Sequence, residues 1–286
     1  MIKNAAKRIY LVLICLILYA PIVTLMVLSF NNTKTRSRWG GFTGKWYVSL
    51  FQNKEIMNAL YTTLIIALLS ALIATLIGTL AALGMQVMRS RTRTLFMGIT
   101  NIPMLNADIV TGVSMCLLFV AFFSGWGSFA SWFNTLGLFR LPTHLTMGFG
   151  TLLIAHITFN IPYVILSVGP KLRQMDRNLV DAAMDLGCTW MQAFWKVIIP
   201  EIKPGIVSGA LTAFTMSIDD FVISYFTAGS SSSTLAMTIY GMTKKKVTPE
   251  INAISTLLFV TVLVLLAVIN VREARQERKL AAEQRR

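Results

Sequence analysis

Charge is scarce in this chain of 286 residues: Asp, Glu, Lys and Arg make up 13% of it, against 55% hydrophobic residues. That excludes an ordinary soluble domain, in which about a quarter of the residues are charged. Cysteine is rare, and Cys15, Cys116 and Cys188 have neither metal nor disulfide spacing, so all three read as structural. Only two histidines occur, His144 and His156, with no third ligand at metal spacing, which argues against a metal site. No GxxxxGK(S/T) loop is present, so the chain does not bind ATP in that way. No nucleophile and base converge in the pattern, which argues against an enzyme.

Long apolar runs are abundant. Stretches of roughly 18 or more apolar residues recur, and each is long enough to cross a bilayer as a helix. Six spans are expected, at 9–30, 58–88, 95–123, 147–170, 204–228 and 251–271, and none of the 26 Lys and Arg lies well inside them. The fold class is therefore all-α, a membrane protein of six transmembrane helices. The first run follows Lys3, Lys7 and Arg8, exceeds the core of a signal peptide and lacks a small-residue cleavage site, so it reads as a retained span. Pro103 and Gly112 predict a bent or broken third span.

The formal charge is +14, but the basic residues cluster at span ends, which suits membrane topology rather than nucleic acid. Of the Lys and Arg, 17 lie on the side of the termini and 9 on the other. By the positive-inside rule both termini are cytoplasmic. The first outer loop runs against this locally, with Lys34, Arg36, Arg38, Lys45 and Lys54. Its aromatics Trp39, Phe42, Trp46 and Tyr47 suit the headgroup level. Thr248, Pro249 and Glu250 read as cap, first helical position and first-turn acid of span six. Ser230–Ser233 reads as a flexible outer loop. Gly78 with Gly84, and Ser208-Gly209-Ala210, are small residues suited to close helix packing.

One segment between late spans is polar enough to stand apart: "DAAMDLGCTWMQAFWKVIIPEIKP", residues 181–204. Leu179, Ala182, Ala183 and Leu186 form one apolar helical face. Gly187 suits the left-handed position that ends a helix, and Thr189 with Gln192 has capping-box spacing for a second. The second helix's face is Met191, Phe194, Trp195, Ile198 and Ile199. Two short helices meeting at a glycine can lie on lipid as an interfacial element or dock into a cytoplasmic partner.

The spacing of Asp181, Ala182, Ala183, Gly187, Val197, Ile199 and Pro200 resembles the "EAA…G…I-x-L-P" loop of ABC importer permeases. It departs from that pattern in Asp181 for Glu, Val197 for Ile and Ile199 for Leu. The stretches "SFNNTKTRSRWGGFTGKWY" (29–47), "DIVTGVSMCLLF" (108–119), "AHITFNIPYV" (155–164), "SIDDFVISYFTAG" (217–229) and "VTPEINAISTLLF" (247–259) resemble spermidine/putrescine permeases of the PotC type. The resemblance implies a type I ABC importer permease fold. Residues 1–57 would form the first helix and outer loop, and 58–271 a five-helix permease domain whose coupling loop is about 171–203. Residues 272–286 would form a cytoplasmic tail. It implies no cofactor on this chain and ATP on partner subunits. The implied partners are a homologous permease in a heterodimer, two ATP-binding subunits, an extracytoplasmic polyamine-binding protein and membrane lipid. The location implied is the bacterial plasma membrane.

Of the 12 acids, only Asp108, Asp219 and Asp220 fall within expected spans. A carboxylate at mid-membrane costs roughly 2.5–3.5 kcal/mol, so such residues are functional candidates. On straight helices Asp108 and Asp219 would lie at similar depth, about 20 and 22 Å from the cytoplasmic ends of their spans. Acids at matching height suit a path for a cationic amine, and Phe221, Tyr225 and Phe226 add aromatic faces that attract cations. Adjacent residues point about 100° apart, so Asp219 and Asp220 do not both face such a path; one of them capping a half-helix or pairing internally is the competing reading. Two other functions share parts of this pattern. A permease for an anion is disfavoured by intramembrane acids without intramembrane Lys or Arg. An ion-driven secondary transporter would show internal repeats, which are not seen.

Overall fold

The computed structural model describes residues 2–33, 38–136, 142–176, 178–245 and 249–283. Lys34 and Arg36 of the outer loop and the cap expected at Thr248 lie outside them. Among the described residues the chain is helical apart from one isolated bridge between Asn31 and Phe42. The helices are α1 (Ile2–Ser29), α2 (Lys45–Gln52), α3 (Lys54–Val87), α4 (Ser90–Leu105), α5 (Asp108–Thr135) and α6 (Phe149–Gln174). They continue with α7 (Asn178–Asp185), α8 (Trp190–Ala193), α9 (Ile199–Asp219), α10 (Val222–Thr227), α11 (Leu235–Lys245) and α12 (Pro249–Glu283). A π-helical turn (Phe194–Ile198) joins α8 to α9, with the N–H of Ile199 reaching back five residues to the carbonyl of Phe194.

Among the described residues six helices are long and apolar enough to cross a membrane: Tyr10–Ser29, Lys54–Val87, Asp108–Thr135, Phe149–Gln174, Trp190–Asp219 and Pro249–Val271. The count matches the sequence reading, and two of the expected spans are corrected. The run at 95–123 is broken, as Pro103 led the sequence to predict, so the expected bounds of that span are what change. It breaks at Asn106 and Ala107, both with extended backbone, and the spanning helix starts there. The break follows Pro103, which disturbs the last turn of α4 by removing a donor and crowding the preceding carbonyl. The run at 204–228 stops at Asp219 and resumes as the short α10, because Asp220 is extended (φ −66°, ψ 124°).

The core is the triangle of α3, α6 and α9. Ala71, Ala74 and Ala82 of α3 meet Val164, Val168 and Leu172 of α6, and Ile202 and Ala213 of α9 complete the cluster. Small residues let these backbones approach, as expected where lipid provides no hydrophobic drive between helices. A Cβ on Gly78 would come within 2.8 Å of the Val164 side chain, and one on Gly205 within 2.8 Å of the Ser167 carbonyl oxygen. Gly209 is similarly close to Val164 and Ser167. Gly84 is a correction: nothing lies within 4 Å of the equivalent point, and it borders an open apolar groove instead. Deep in the triangle, the Asn160 amide donates to Ser217 Oγ (2.7 Å), and the Ser70 and Ser217 hydroxyls are 2.9 Å apart. These fully buried groups tie the three helices together with hydrogen bonds that have no competing water.

The loop before α2 also departs from expectation. Trp46 is buried, only 6% exposed, with its Nε1–H donated to the Asn31 carbonyl at 2.7 Å. It packs with Leu50, Ile56, Leu235, Ala253 and Ile254. Trp39 and Phe42 remain exposed. An aromatic run reads as interfacial by composition, but the short amphipathic α2 turns Trp46 inward against α3 and α12. Pro249 opens α12 as expected, and Glu250 in its first turn accepts a hydrogen bond from Ser49 Oγ at 2.9 Å.

Candidate functional site

Two regions carry the residues singled out in the sequence. The first surrounds the breaks before α5 and after α9. Asp108 is the first residue of α5 and is exposed. Unpaired N–H groups at this helix end carry partial positive charge, which stabilises a carboxylate there. Tyr163 of α6 lies within electrostatic reach of it. Helix α5 then crosses α10 so closely that a Cβ on Gly112 would stand 2.8 Å from the Phe226 ring. Asp219 is the last residue of α9 and is also exposed. Among the described residues, neither Asp108 nor Asp219 has a hydrogen bond or ion pair. The straight helix assumed for the depth estimate is interrupted before Asp108, at Asn106 and Ala107, whereas Asp219 ends the unbroken helix Trp190–Asp219.

Asp220 behaves differently from its neighbour. Its Oδ1 accepts from the N–H of Ile223 (3.2 Å) and its Oδ2 from the N–H of Ser224 (2.7 Å), capping α10. Ser224 Oγ donates to Oδ2 at 2.9 Å. His156, on α6 and 1% exposed, places Nε2 3.0 Å from Ser224 Oγ and 3.6 Å from Asp220 Oδ2. Of the pair, Asp219 is exposed, and Asp220 turns in to cap a half-helix, which was the competing reading for one of them.

Aromatic rings fill the same neighbourhood. Phe221 stands 4.5 Å from Tyr240 and 5.5 Å from Tyr225, centroid to centroid, and Tyr225 lies edge-on to Phe226 at 5.5 Å. Tyr225 is 52% exposed, so one of its faces is free to meet a ligand. Exposed carboxylates beside accessible aromatic faces can hold an organic cation by charge and by the ring quadrupole. His156 was missed. In the sequence it was tested only as a metal ligand, although any ionisable residue inside a span is a candidate on grounds of cost alone.

The second region is the loop of α7, α8 and the π turn. Helix α7 ends as its glycine predicts. Gly187 has φ +88°, its N–H bonds to the Met184 carbonyl (2.9 Å), and the Cys188 N–H bonds to the Ala183 carbonyl (3.1 Å). This is the Schellman arrangement. The capping box also forms: Gln192 N–H donates to Thr189 Oγ1 and Thr189 N–H to Gln192 Oε1. Asp181, Ala182, Gly187 and Pro200 are exposed and Ala183 is half-buried. The apolar face of α7 is uncovered, with Leu186 87% exposed. The root of the second helix packs inward through Ala193, Phe194 and Ile198, and Val180 of α7 packs against the same cluster.

The sequence profile of the family described as "Binding-protein-dependent transport system inner membrane component" matches residues 74–281. The chain is 35% identical over 242 residues to the "Putrescine transport system permease protein PotI" of Escherichia coli (strain K12), covering 84% of this chain and 81% of that one. It is 35% identical over 248 residues to the "Spermidine/putrescine transport system permease protein PotC" of the same organism, covering 87% and 86%. Among solved structures, it resembles a chain of a bacterial alginate ABC transporter in complex with a pentasaccharide-bound periplasmic protein. The TM-score is 0.67 at 17% identity, over 96% of this chain and 94% of that one. A chain of the MetNI methionine ABC transporter gives 0.56 at 18% identity, over 82% and 99%. At such identities the structures show a shared fold, that of type I ABC importer permeases.

Proposed function

Because this chain belongs to the binding-protein-dependent transport system inner membrane component family, we propose that it is the permease of an ATP-driven importer whose cargo is a polyamine, spermidine or putrescine. The cargo assignment is carried by the 35% identity to two permeases named for polyamine transport, over more than four fifths of each chain. The site geometry supports it: two exposed carboxylates, without cationic partners among the described residues, stand at helix breaks beside accessible rings. In this reading Asp108, Asp219 and Tyr225 line the path. Asp220, whose carboxylate is engaged by α10, holds the break in shape.

The chain is a transport subunit, and no covalent step falls to it. ATP is hydrolysed on two partner subunits, a homologous permease completes the membrane part, and an extracytoplasmic protein delivers the cargo. Both termini face the cytoplasm, which puts α7 and α8 on the cytoplasmic side. Asp181, Ala182, Ala183, Gly187 and Pro200 then belong to the coupling loop seated on the ATP-binding subunit. The exposed Leu186, Met191 and Trp195 supply apolar surface for that contact. Closure of the ATP-binding subunits moves the loop, and the continuous rod from α8 to α9 carries the motion to the break at Asp220. This is rigid-body switching between access to one side and to the other.

The test is uptake of labelled spermidine into proteoliposomes holding the whole complex. ATP-dependent uptake competed by putrescine and indifferent to sulfate is expected. Competition by sulfate, or full transport by this chain with no ATP-binding subunit, refutes the proposal.

A further inference from the structure

Helix α10 is six residues long, far too short to hold its own shape or place without tertiary contacts. Both of its ends are fastened to α6. At the far end Thr151 Oγ1 donates to the Thr227 carbonyl at 2.7 Å. At the near end the link runs through His156, Ser224 and Asp220. Ser224 has one hydroxyl proton, and that proton points to Asp220 Oδ2 at 2.9 Å. His156 Nε2, 3.0 Å away, is then the donor to Ser224 Oγ. The result is a relay of two donations from α6 through α10 to the carboxylate that caps α10. Apart from Ser224 and the Asp220 carboxylate itself, 3.6 Å from Nε2, His156 has no hydrogen-bond or ion-pair partner among the described residues.

We propose that His156 is a positioning residue for the cargo site: through Ser224 and Asp220 it fastens the start of α10 to α6 and so fixes Tyr225 relative to Asp219. This rests on the reading that Tyr225 and Asp219 line the path. Helix α9 is itself held to α6 by the Asn160–Ser217 hydrogen bond, so both sides of the break at Asp220 are fastened to the same helix.

The experiment uses the whole complex in proteoliposomes with two readouts. The first is spermidine transport, resolved into KM and Vmax. The second is the rate at which a membrane-permeant maleimide modifies a cysteine placed by Tyr225→Cys in a background with Cys15, Cys116 and Cys188 replaced by serine. Removing a buried donor leaves its acceptor unsatisfied, so His156→Ala is expected to raise KM about tenfold and leave Vmax within about threefold. It should also change the labelling rate at position 225. His156→Gln keeps an N–H donor near Nε2 and is expected to restore KM to within about threefold of the parent. If His156→Ala does not assemble, Ser224→Ala cuts the same relay and carries the same expectation. An unchanged labelling rate overturns the fastening of α10. A changed labelling rate with an unchanged KM overturns the placing of Tyr225 on the path while the fastening stands. A fall in Vmax alone, with no rescue by glutamine, overturns the positioning role.

Discussion

Gly187 ends α7 at φ +88°, and a Cβ built there would meet nothing within 4 Å. Within this chain a substitution at this point therefore acts through backbone conformation alone, and because the joint is proposed to face a partner subunit the asparagine variant controls for added bulk. A left-handed conformation costs an L-residue about 1–2 kcal/mol, and each 1.4 kcal/mol is about tenfold in an equilibrium. Asparagine tolerates the region, alanine bears the penalty, and a β-branched residue is a true outlier there. Three variants at one site thus form a series. Gly187→Asn is expected to transport nearly as the parent does. Gly187→Ala should lower cargo moved per ATP hydrolysed by up to about tenfold, and Gly187→Val should lower it further while hydrolysis continues. The penalty falls on the Schellman bonds at Met184 and Ala183, which set the angle between α7 and α8. Paired measurements of uptake and phosphate release in proteoliposomes give the ratio. Equal coupling in the valine and asparagine variants would refute both the strain argument and the role assigned to the joint.

Asp108→Asn and Asp219→Asn are each expected to raise the KM for spermidine about tenfold without loss of assembled complex, since each removes one charge-assisted contact to the cargo; an unchanged KM in both removes them from the path. The double variant Asp219→Asn with Asp220→Asn should impair uptake more than Asp219→Asn alone, because it also weakens the cap of α10. Gly78→Ala should lower thermal stability in detergent by about 1–3 kcal/mol through overpacking against Val164, while Gly84→Ala should leave it unchanged. Thr189→Ala should cost about 0.5–2 kcal/mol in the local stability of α8, read as faster amide exchange at Gln192, because the capping box is lost.

Hydropathy found the spans because burial in lipid depends on composition, and the positions of α3, α6 and α12 follow their apolar runs closely. Hydropathy alone could not place the two breaks, because Asn106, Ala107 and Asp220 lie inside windows that remain apolar on average. Pro103 announced the first, and the second is made by the N–H groups of Ile223 and Ser224 bonding to the Asp220 carboxylate. The glycine joint and the capping box were legible because both are encoded within a few residues. Trp46 was misread for the opposite reason. Its inward turn depends on α12, about two hundred residues on, and no local pattern records that contact. His156 was hidden in the same way: its partners lie on another helix and meet it only once α6 and α10 pack. Gly78 and Gly84 look alike in sequence, and only the path of α6 tells them apart.

The π turn at Phe194–Ile198 inserts one extra residue into an otherwise continuous rod just before Pro200, which has no N–H of its own to give. The widened turn absorbs that residue, so deleting one within Phe194–Ile198 would close an ordinary turn and leave Trp190 and Met191 facing as they do. In the regular helix beyond it one residue corresponds to about 100° of rotation about the axis, and a deletion there would spin Trp190 and Met191 by more than a quarter circle relative to Ala213. The chain would still thread the bilayer, but the loop surface would face the wrong way, like a gear keyed one tooth out.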